Sequence, residues 1–75
     1  MKELLEFLLK GILGKNKFDI TETEEEGRVT YIIKTAQENI GMIIGKGGRM
    51  IKTLRNVLKV RATLEKKAVF INVEG

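Results

Sequence analysis

The sequence contains no cysteine, no histidine, no proline and no tryptophan. Without cysteine and histidine it can form no disulfide bond, no thiolate nucleophile, no Cys/His zinc site and no Ser-His-Asp catalytic set. No apolar run reaches the roughly 18 residues that a membrane-spanning helix needs, and acidic Glu3 and Glu6 make the N-terminus a poor signal peptide. These absences favour a soluble cytoplasmic protein without a metal, a cofactor or a membrane partner.

Positive charge is concentrated in the second half of the chain. The net charge is +4 over 75 residues. Residues 1–44 carry six basic and eight acidic side chains, whereas residues 45–75 carry eight basic and two acidic ones. Between Gly45 and Leu64 there are six basic residues and no acidic residue. Because clustered positive charge attracts negative charge, this distribution indicates a polyanionic partner.

Hydrophobic periodicity predicts the order α-β-β-α-α-β. The predicted elements are a helix at 3–13, a strand at 18–23, a turn at 24–27, a strand at 28–35, a short helix from 37 or 38 to 44, a helix at 49–59, a turn at 65–67 and a strand at 68–73. Residues 60–64 are ambiguous and fit a continuation of the preceding helix. The short turn makes the first two strands an antiparallel hairpin, and the two-helix crossover makes the second and third strands parallel neighbours. The expected fold is therefore α+β, with three helices on one face of a three-stranded mixed sheet.

The first predicted helix has a wide apolar arc. Its polar residues fall on one narrow stripe, and the rest of its circumference is apolar. Packing on a sheet explains part of this arc, but one sheet face does not easily cover all of it. The pattern leaves open that Leu5, Phe7, Leu9 or Ile12 also forms a subunit interface.

A glycine-rich turn separates the two helices that follow the hairpin. Residues 40–51 read Ile-Gly-Met-Ile-Ile-Gly-Lys-Gly-Gly-Arg-Met-Ile. Glycine permits positive φ and leaves backbone N–H groups accessible, so such a turn before a helix suits a phosphate. A P-loop would need four residues between its glycines and Ser or Thr after the lysine, and a dinucleotide fingerprint would need glycine in place of Met50. Both motifs fail, which leaves an anion-binding turn or a purely structural one.

The turn and its surroundings resemble the signature of the KH domain family. The segment Ile43-Ile44-Gly45-Lys46-Gly47-Gly48-Arg49-Met50-Ile51 matches I/V-I-G-x-x-G-x-x-I, and the G-x-x-G loop of that family clamps the backbone of about four nucleotides. The element order is similar to the type II arrangement, which implies one KH domain over residues 1–75. Length and overall pattern are closest to the small bacterial KhpA family. That family is described as dimerising, pairing with the larger KH protein KhpB, and acting as an RNA chaperone linked to cell shape.

The resemblance implies RNA-binding roles for the glycines of the loop. Gly45 and Gly48 match the two defining glycines, and Lys46 and Gly47 match the variable pair between them. The lysine would bring charge towards phosphate, and the glycine would leave room for close approach. Gly41 matches the small residue one turn before the loop, where nucleic acid lies against the helix in this family.

Residues on either side of the loop complete the candidate site. Ile44 and Ile51 match the apolar positions that partly line the family's hydrophobic groove and partly anchor the helices in the core. Arg49, Lys52 and Arg55 recur at three-to-four spacing, so they share one helix face and are candidates for phosphate contacts.

The chemistry that these residues imply is binding without catalysis. Phosphate neutralisation would make affinity fall with salt, and stacking is expected to be minor because all four aromatics lie outside the basic segment. Single-stranded RNA is the expected ligand, with single-stranded DNA also possible and no small-molecule substrate. Since one site for about four nucleotides binds weakly, a homodimer or a KhpB-like partner is expected.

Two alternatives to RNA binding remain at the level of sequence. The chain could be a protein-interaction subunit that uses its apolar N-terminal helix, with RNA contact incidental. It could also be a small enzyme acting on nucleotides, although the acidic residues at 24–26 lie in a predicted turn without a partner set.

Overall fold

The computed structural model describes residues 1–75 and contains three α-helices and three strands. The helices are α1 (Lys2–Leu13), α2 (Gln37–Ile44) and α3 (Arg49–Leu64), and the strands are β1 (Phe18–Glu25), β2 (Arg28–Thr35) and β3 (Ala68–Glu74). This order confirms the predicted α-β-β-α-α-β arrangement, with the helices on one face of the sheet. None of the helices is long and apolar enough to cross a membrane.

The three strands form one mixed sheet with β2 in the centre. β1 pairs with β2 antiparallel, Phe18 lying opposite Thr35, and β3 pairs with β2 parallel, Ala68 lying opposite Arg28. Both pairings agree with the prediction. Because β3 is an edge strand, its outer edge has no neighbouring strand, and this edge runs beside α3.

The hydrophobic core lies between the sheet and the helices. Alternate residues of a strand point to opposite faces, and the alternate residues Val29, Tyr31 and Ile33 of β2 are fully buried. The Tyr31 hydroxyl has no hydrogen-bond partner. Burial raises the pKa of this hydroxyl, and the nearby carboxylate of Glu22 raises it further. The helices contribute buried side chains to the same core: Leu5, Leu9, Leu13, Ile43, Leu54 and Leu58.

The hairpin is tighter than the sequence predicts. The predicted turn at 24–27 is wrong for its first two residues, because Glu24 pairs with Val29 and Glu25 pairs with Arg28 in the ladder. The turn itself contains only two residues, at 26–27, with φ of 50° and 75°. Positive φ at both positions is what a two-residue hairpin loop requires.

The helix α3 is longer than residues 49–59, the part that the sequence pattern predicts without ambiguity. α3 continues through residues 60–64, which settles the ambiguous segment as helix. Ala62 is buried there, because the helix keeps its inner face on the core for another turn. The turn that follows and the strand β3 agree with the prediction, apart from one further residue, Glu74.

The apolar arc of α1 is mostly inside the protein. Leu5 and Leu9 are fully buried, so the expectation that these two residues serve a subunit interface is wrong. The arc is covered because α1 packs against α2 and α3 as well as β1. Ile12 is half-buried against the core, whereas Phe7 is 74% exposed. The helix therefore retains one large exposed apolar side chain.

Candidate nucleic-acid interface

The glycine loop joins α2 to α3 through a backbone that only glycine adopts readily. The N–H of Gly45 donates to the Gly41 carbonyl oxygen at 2.8 Å and closes α2. Gly45 then takes φ 76° and ψ 174°, a region that is essentially restricted to glycine. The chain turns sharply at this residue into a short 3-10 turn at Lys46–Gly48.

Close packing gives a second reason for glycine at the start of the loop. A Cβ atom placed on Gly45 would lie 2.6 Å from the Cβ and 2.9 Å from the backbone N of Met50. These distances are shorter than real contacts, so any side chain here would push the loop away from the first turn of α3. The loop is thus held against α3 by the absence of a side chain.

The exposed part of the loop offers an environment for an anion. Lys46 and Gly47 are both exposed, and Gly48, in the left-handed conformation, precedes α3. No side chain caps the N-terminus of α3, and no acidic residue lies in its first turn. Neither Lys46 nor Arg49 belongs to any ion pair of the structure. Backbone N–H groups and the positive end of the helix dipole therefore act together with two uncompensated cations.

The residues next to the loop divide into exposed and packed ones. Gly41 and Ile44 are exposed on α2, and a Cβ placed on Gly41 would meet no atom within 4 Å beyond its adjacent residues and the backbone of its own helix. Ile51 instead packs against the core and is half-buried. The structure accordingly places Gly41 and Ile44 where a ligand can reach them and gives Ile51 a packing role.

A basic face continues from the loop along α3. We define it as Lys52, Arg55 and Lys59, which are all exposed and lie on the same side of the helix. None of the three forms an ion pair. Arg55 and Lys59, with Thr63, also border an open cleft of about 780 Å³ along residues 66–72. The candidate residues of α3 therefore lead from the loop towards the open edge of β3.

Phe70 borders the candidate interface, although the sequence motif does not include it. It is 48% exposed, borders the same cleft as Arg55 and Lys59, and lies under the Arg28 guanidinium, whose Cζ is 5.6 Å from the ring centroid. Phe70 lies outside the basic segment in sequence but next to it in the fold. Its side chain points to the outer face of the sheet, because the alternate residues Val69 and Ile71 point to the core. That stacking on bases is minor stays a prediction. The sequence does contain one signal for Phe70, because it is an aromatic residue on the side of the predicted last strand opposite to Val69 and Ile71.

One lysine at the end of the cleft is held by the acidic hairpin. The Lys67 ammonium donates to a Glu24 carboxylate oxygen at 2.7 Å. This hydrogen bond raises the pKa of Lys67 above its ordinary value. Because Glu24 compensates its charge, Lys67 contributes less to the field of the cleft than Lys59 does.

A second cleft lies at the opposite edge of the sheet. It has a volume of about 910 Å³ and separates α1 from β1. Its lysines are mixed with the carboxylates of Glu6 and Asp19, so it lacks the uniform charge of the α3 side. No group of three or more acidic residues is arranged to hold a metal ion. The α3 side is therefore the stronger candidate for a polyanion.

A G-x-x-G loop between α2 and α3, within the order α-β-β-α-α-β, defines a KH domain of type II. Comparison with protein-family models agrees, since the model described as KhpA/KhpB, KH domain, matches residues 2–73. The chain belongs to this KhpA/KhpB family of KH domains.

Several similar proteins carry the name RNA-binding protein KhpA. The one from Clostridium acetobutylicum is 34% identical over 74 residues, which cover 97% of this chain and 99% of that protein. The one from Thermotoga maritima is 44% identical over 59 residues, covering 77% of this chain and 79% of that protein. The one from Chlamydia trachomatis is 31% identical over 74 residues, covering 97% and 95%.

Proposed function

We propose that residues 1–75 act as one non-catalytic KH domain that binds single-stranded RNA through the loop at 45–48 and the basic face of α3. One observation carries the proposal: an uncapped, acid-free helix N-terminus lies behind exposed Lys46 and Gly47 and continues into three unpaired cations. The name RNA-binding protein, given to the similar proteins, supports RNA as the ligand.

The proposed contacts divide into phosphate and base contacts. The loop amides, Lys46 and Arg49 take the phosphates, which makes affinity strongly dependent on salt. Bases that follow lie along the cleft between α3 and β3. The unpaired edge of β3 offers backbone donors and acceptors to base edges. These contacts need unpaired bases, so the ligand is single-stranded, and single-stranded DNA can share the phosphate contacts.

A single site of about four nucleotides gives modest affinity. Two sites on one assembly raise the effective concentration at the second site. We therefore propose that the protein works as a homodimer or with a larger KhpB-like KH protein. Weak and rapidly exchanging contacts fit an RNA chaperone or post-transcriptional regulator acting in the cytoplasm. The alternative of an interaction subunit built on α1 loses support because Leu5 and Leu9 are buried.

A charge reversal in the loop tests this proposal. In the double variant Lys46→Asp with Gly47→Asp, affinity for a labelled single-stranded oligoribonucleotide should fall at least tenfold, because two carboxylates replace the phosphate contact. Aspartate tolerates the left-handed conformation of residue 47 better than most residues. Circular dichroism should therefore show an intact fold.

A matched control carries the same charge change on α1 and the loop after it. The variant Gly11→Asp with Lys15→Asp alters exposed positions away from the loop and lowers the net charge by the same amount. It should bind RNA with an affinity within about twofold of that of the parent protein. If both double variants weaken binding equally, the effect is one of net charge alone and the loop is not the site. Turnover of a nucleotide by the purified protein would contradict the non-catalytic assignment.

A further inference from the structure

The cleft between α1 and β1 runs along an edge of the sheet that no other strand covers. β1 is the first strand in the order of the sheet, so only its β2 side is paired. Three consecutive residues of β1, at 18–20, line the cleft. Because consecutive residues of a strand point to opposite faces, the cleft borders the backbone edge itself and not one face of the sheet. Its volume of about 910 Å³ leaves room for an extended segment of chain.

The backbone groups on this edge of β1 have no partner in the protein. Half of the residues of an antiparallel edge strand direct both the N–H and the C=O group away from the neighbouring strand. All eight residues of β1 lie in the ladder with β2, so about four of them present such groups at the free edge. No hydrogen bond from a turn, a loop or a side chain reaches these groups. The edge therefore offers the donors and acceptors that an added strand would use.

Two carboxylates of β1 are left without a cation, although each has a basic neighbour on β2. Asp19 lies opposite Lys34 in the ladder, but the Lys34 ammonium is paired with Glu74 of β3 at 3.9 Å. Glu25 lies opposite Arg28, whose guanidinium covers the aromatic ring of β3, with its Cζ 5.6 Å from the ring centroid. Neither carboxylate belongs to an ion pair. Both basic neighbours are engaged on the β3 side, so the negative charge of Asp19 and Glu25 is uncompensated next to the free edge.

The charge of β1 selects the kind of strand that can pair with this edge. Its eight residues include four acidic ones and no basic one. Like charges directly opposite each other destabilise a strand pair, so β1 of a second copy is a poor occupant. Single-stranded RNA is disfavoured for the same reason, because its phosphates would approach carboxylates. A basic protein segment is favoured locally, even though the whole chain has a net charge of +4.

α1 provides the other wall of the cleft. Lys2, Glu6 and Lys10 recur at four-residue spacing and form one stripe along the helix. None of the three side chains forms an ion pair. Phe18 and Ile20 of β1 line the same cleft and are half-buried. On the side of α1, an added strand would therefore meet apolar surface and a small excess of positive charge.

We propose that the free edge of β1 binds an extended segment of a partner protein as a further strand of the sheet. The segment carries lysine or arginine at every second position, on the side of Asp19 and Glu25. The positions between them, on the side of α1, are apolar or acidic. Backbone hydrogen bonds give such a contact its affinity, and the alternate side chains give it specificity. This inference goes beyond the proposed function, which uses the opposite edge of the sheet, so RNA and the partner can be held together.

A synthetic heptapeptide that alternates lysine with valine and glutamate is the probe. It should bind with a Kd below about 1 mM and slow amide hydrogen exchange at alternate residues of β1, while exchange in the loop at 45–48 stays unchanged. A control peptide contains the same amino acids with its lysines placed consecutively, and it should bind about tenfold more weakly. Binding of the alternating peptide that does not saturate, or equal binding of the two peptides, would overturn the proposal.

A charge reversal on the protein locates the contact. Asp19→Lys should weaken binding of the alternating peptide by about fivefold or more. Glu38→Lys makes the same charge change at an exposed position of α2 and should leave the affinity within about twofold of that of the parent protein. A peptide with glutamate in place of lysine should bind Asp19→Lys better than it binds the parent, which also shows that the variant is folded. Equal weakening by both variants, or protection of the β1 amides by an oligoribonucleotide, would overturn the edge as a site for a basic protein segment.

Discussion

Replacing Gly41 with alanine should raise stability and weaken RNA binding at once. Gly41 lies inside α2, and a Cβ atom placed there would meet no atom within 4 Å beyond its adjacent residues and the backbone of its own helix. Alanine in a helix interior is more favourable than glycine by about 0.5–1 kcal/mol. For a domain of this size 1 kcal/mol corresponds to about 4–8 °C in Tm, so Tm should rise by several degrees.

RNA affinity should change in the opposite direction. The resemblance to the KH family implies that nucleic acid lies against Gly41, and the added methyl group would occupy that space. Loss of one hydrogen bond to a charged phosphate costs about 1.5–3 kcal/mol, which corresponds to at least a tenfold weaker Kd. Thermal unfolding followed by circular dichroism measures the first effect, and fluorescence anisotropy with a labelled oligoribonucleotide measures the second.

Gly11→Ala in α1 is the matched control. Gly11 is also in a helix, and a Cβ placed on it would likewise meet no atom within 4 Å beyond its adjacent residues and the backbone of its own helix. It should give a similar rise in Tm with unchanged RNA affinity. If Gly41→Ala behaves like this control in both assays, nucleic acid does not approach α2 at this point. If Gly41→Ala lowers Tm, the open space beside this residue does not exist in the folded protein.

Three further predictions concern the loop, the core and the cleft. Gly45→Ala should lower the free energy of unfolding by about 2 kcal/mol or more, because its Cβ would meet Met50; an unchanged urea midpoint would contradict this. Burial raises the pKa of Tyr31, the only tyrosine, so the folded state keeps its proton longer and stability should fall by up to about 1.4 kcal/mol per pH unit above pH 10. Tyrosinate absorbance should then rise only with unfolding, and an earlier rise would refute the burial argument. Glu24→Gln frees Lys67 and should strengthen RNA binding at low salt with a steeper salt dependence; an unchanged slope would show that Lys67 does not face RNA.

The order of the elements could be predicted because local signals agree with the tertiary structure. Val29, Tyr31 and Ile33 alternate in sequence and are all buried in the fold. The exact end of β1 could not be predicted in this way. Glu24 and Glu25 have low strand propensity, yet they pair with β2, because cross-strand pairing outweighs propensity in a hairpin.

Part of the candidate site could be predicted for a similar reason. The loop glycines and Lys46 form a short contiguous motif, so their proximity follows from the sequence. The cleft could not be predicted from the sequence, because it lies between α3 and the strand β3 that follows the next turn. Phe70 and Arg55 are 15 residues apart in the chain and border the same cleft only through the packing of β3 beside α3. A pattern within one element contains no information on that packing.

α3 shows why burial changes the interpretation of an amphipathic helix. In sequence its apolar positions form one group opposite its basic positions, which indicates a core face and a ligand face. In the structure the apolar group divides, since Leu54 and Leu58 are buried while Val57 and Leu64 are exposed. The hydropathy of a leucine or valine side chain does not depend on the helix face that carries it. Only the position of the sheet therefore distinguishes the buried apolar residues from the exposed ones. The helix thus has three faces: a buried one on the core, a basic one that leads away from the loop, and an exposed apolar one.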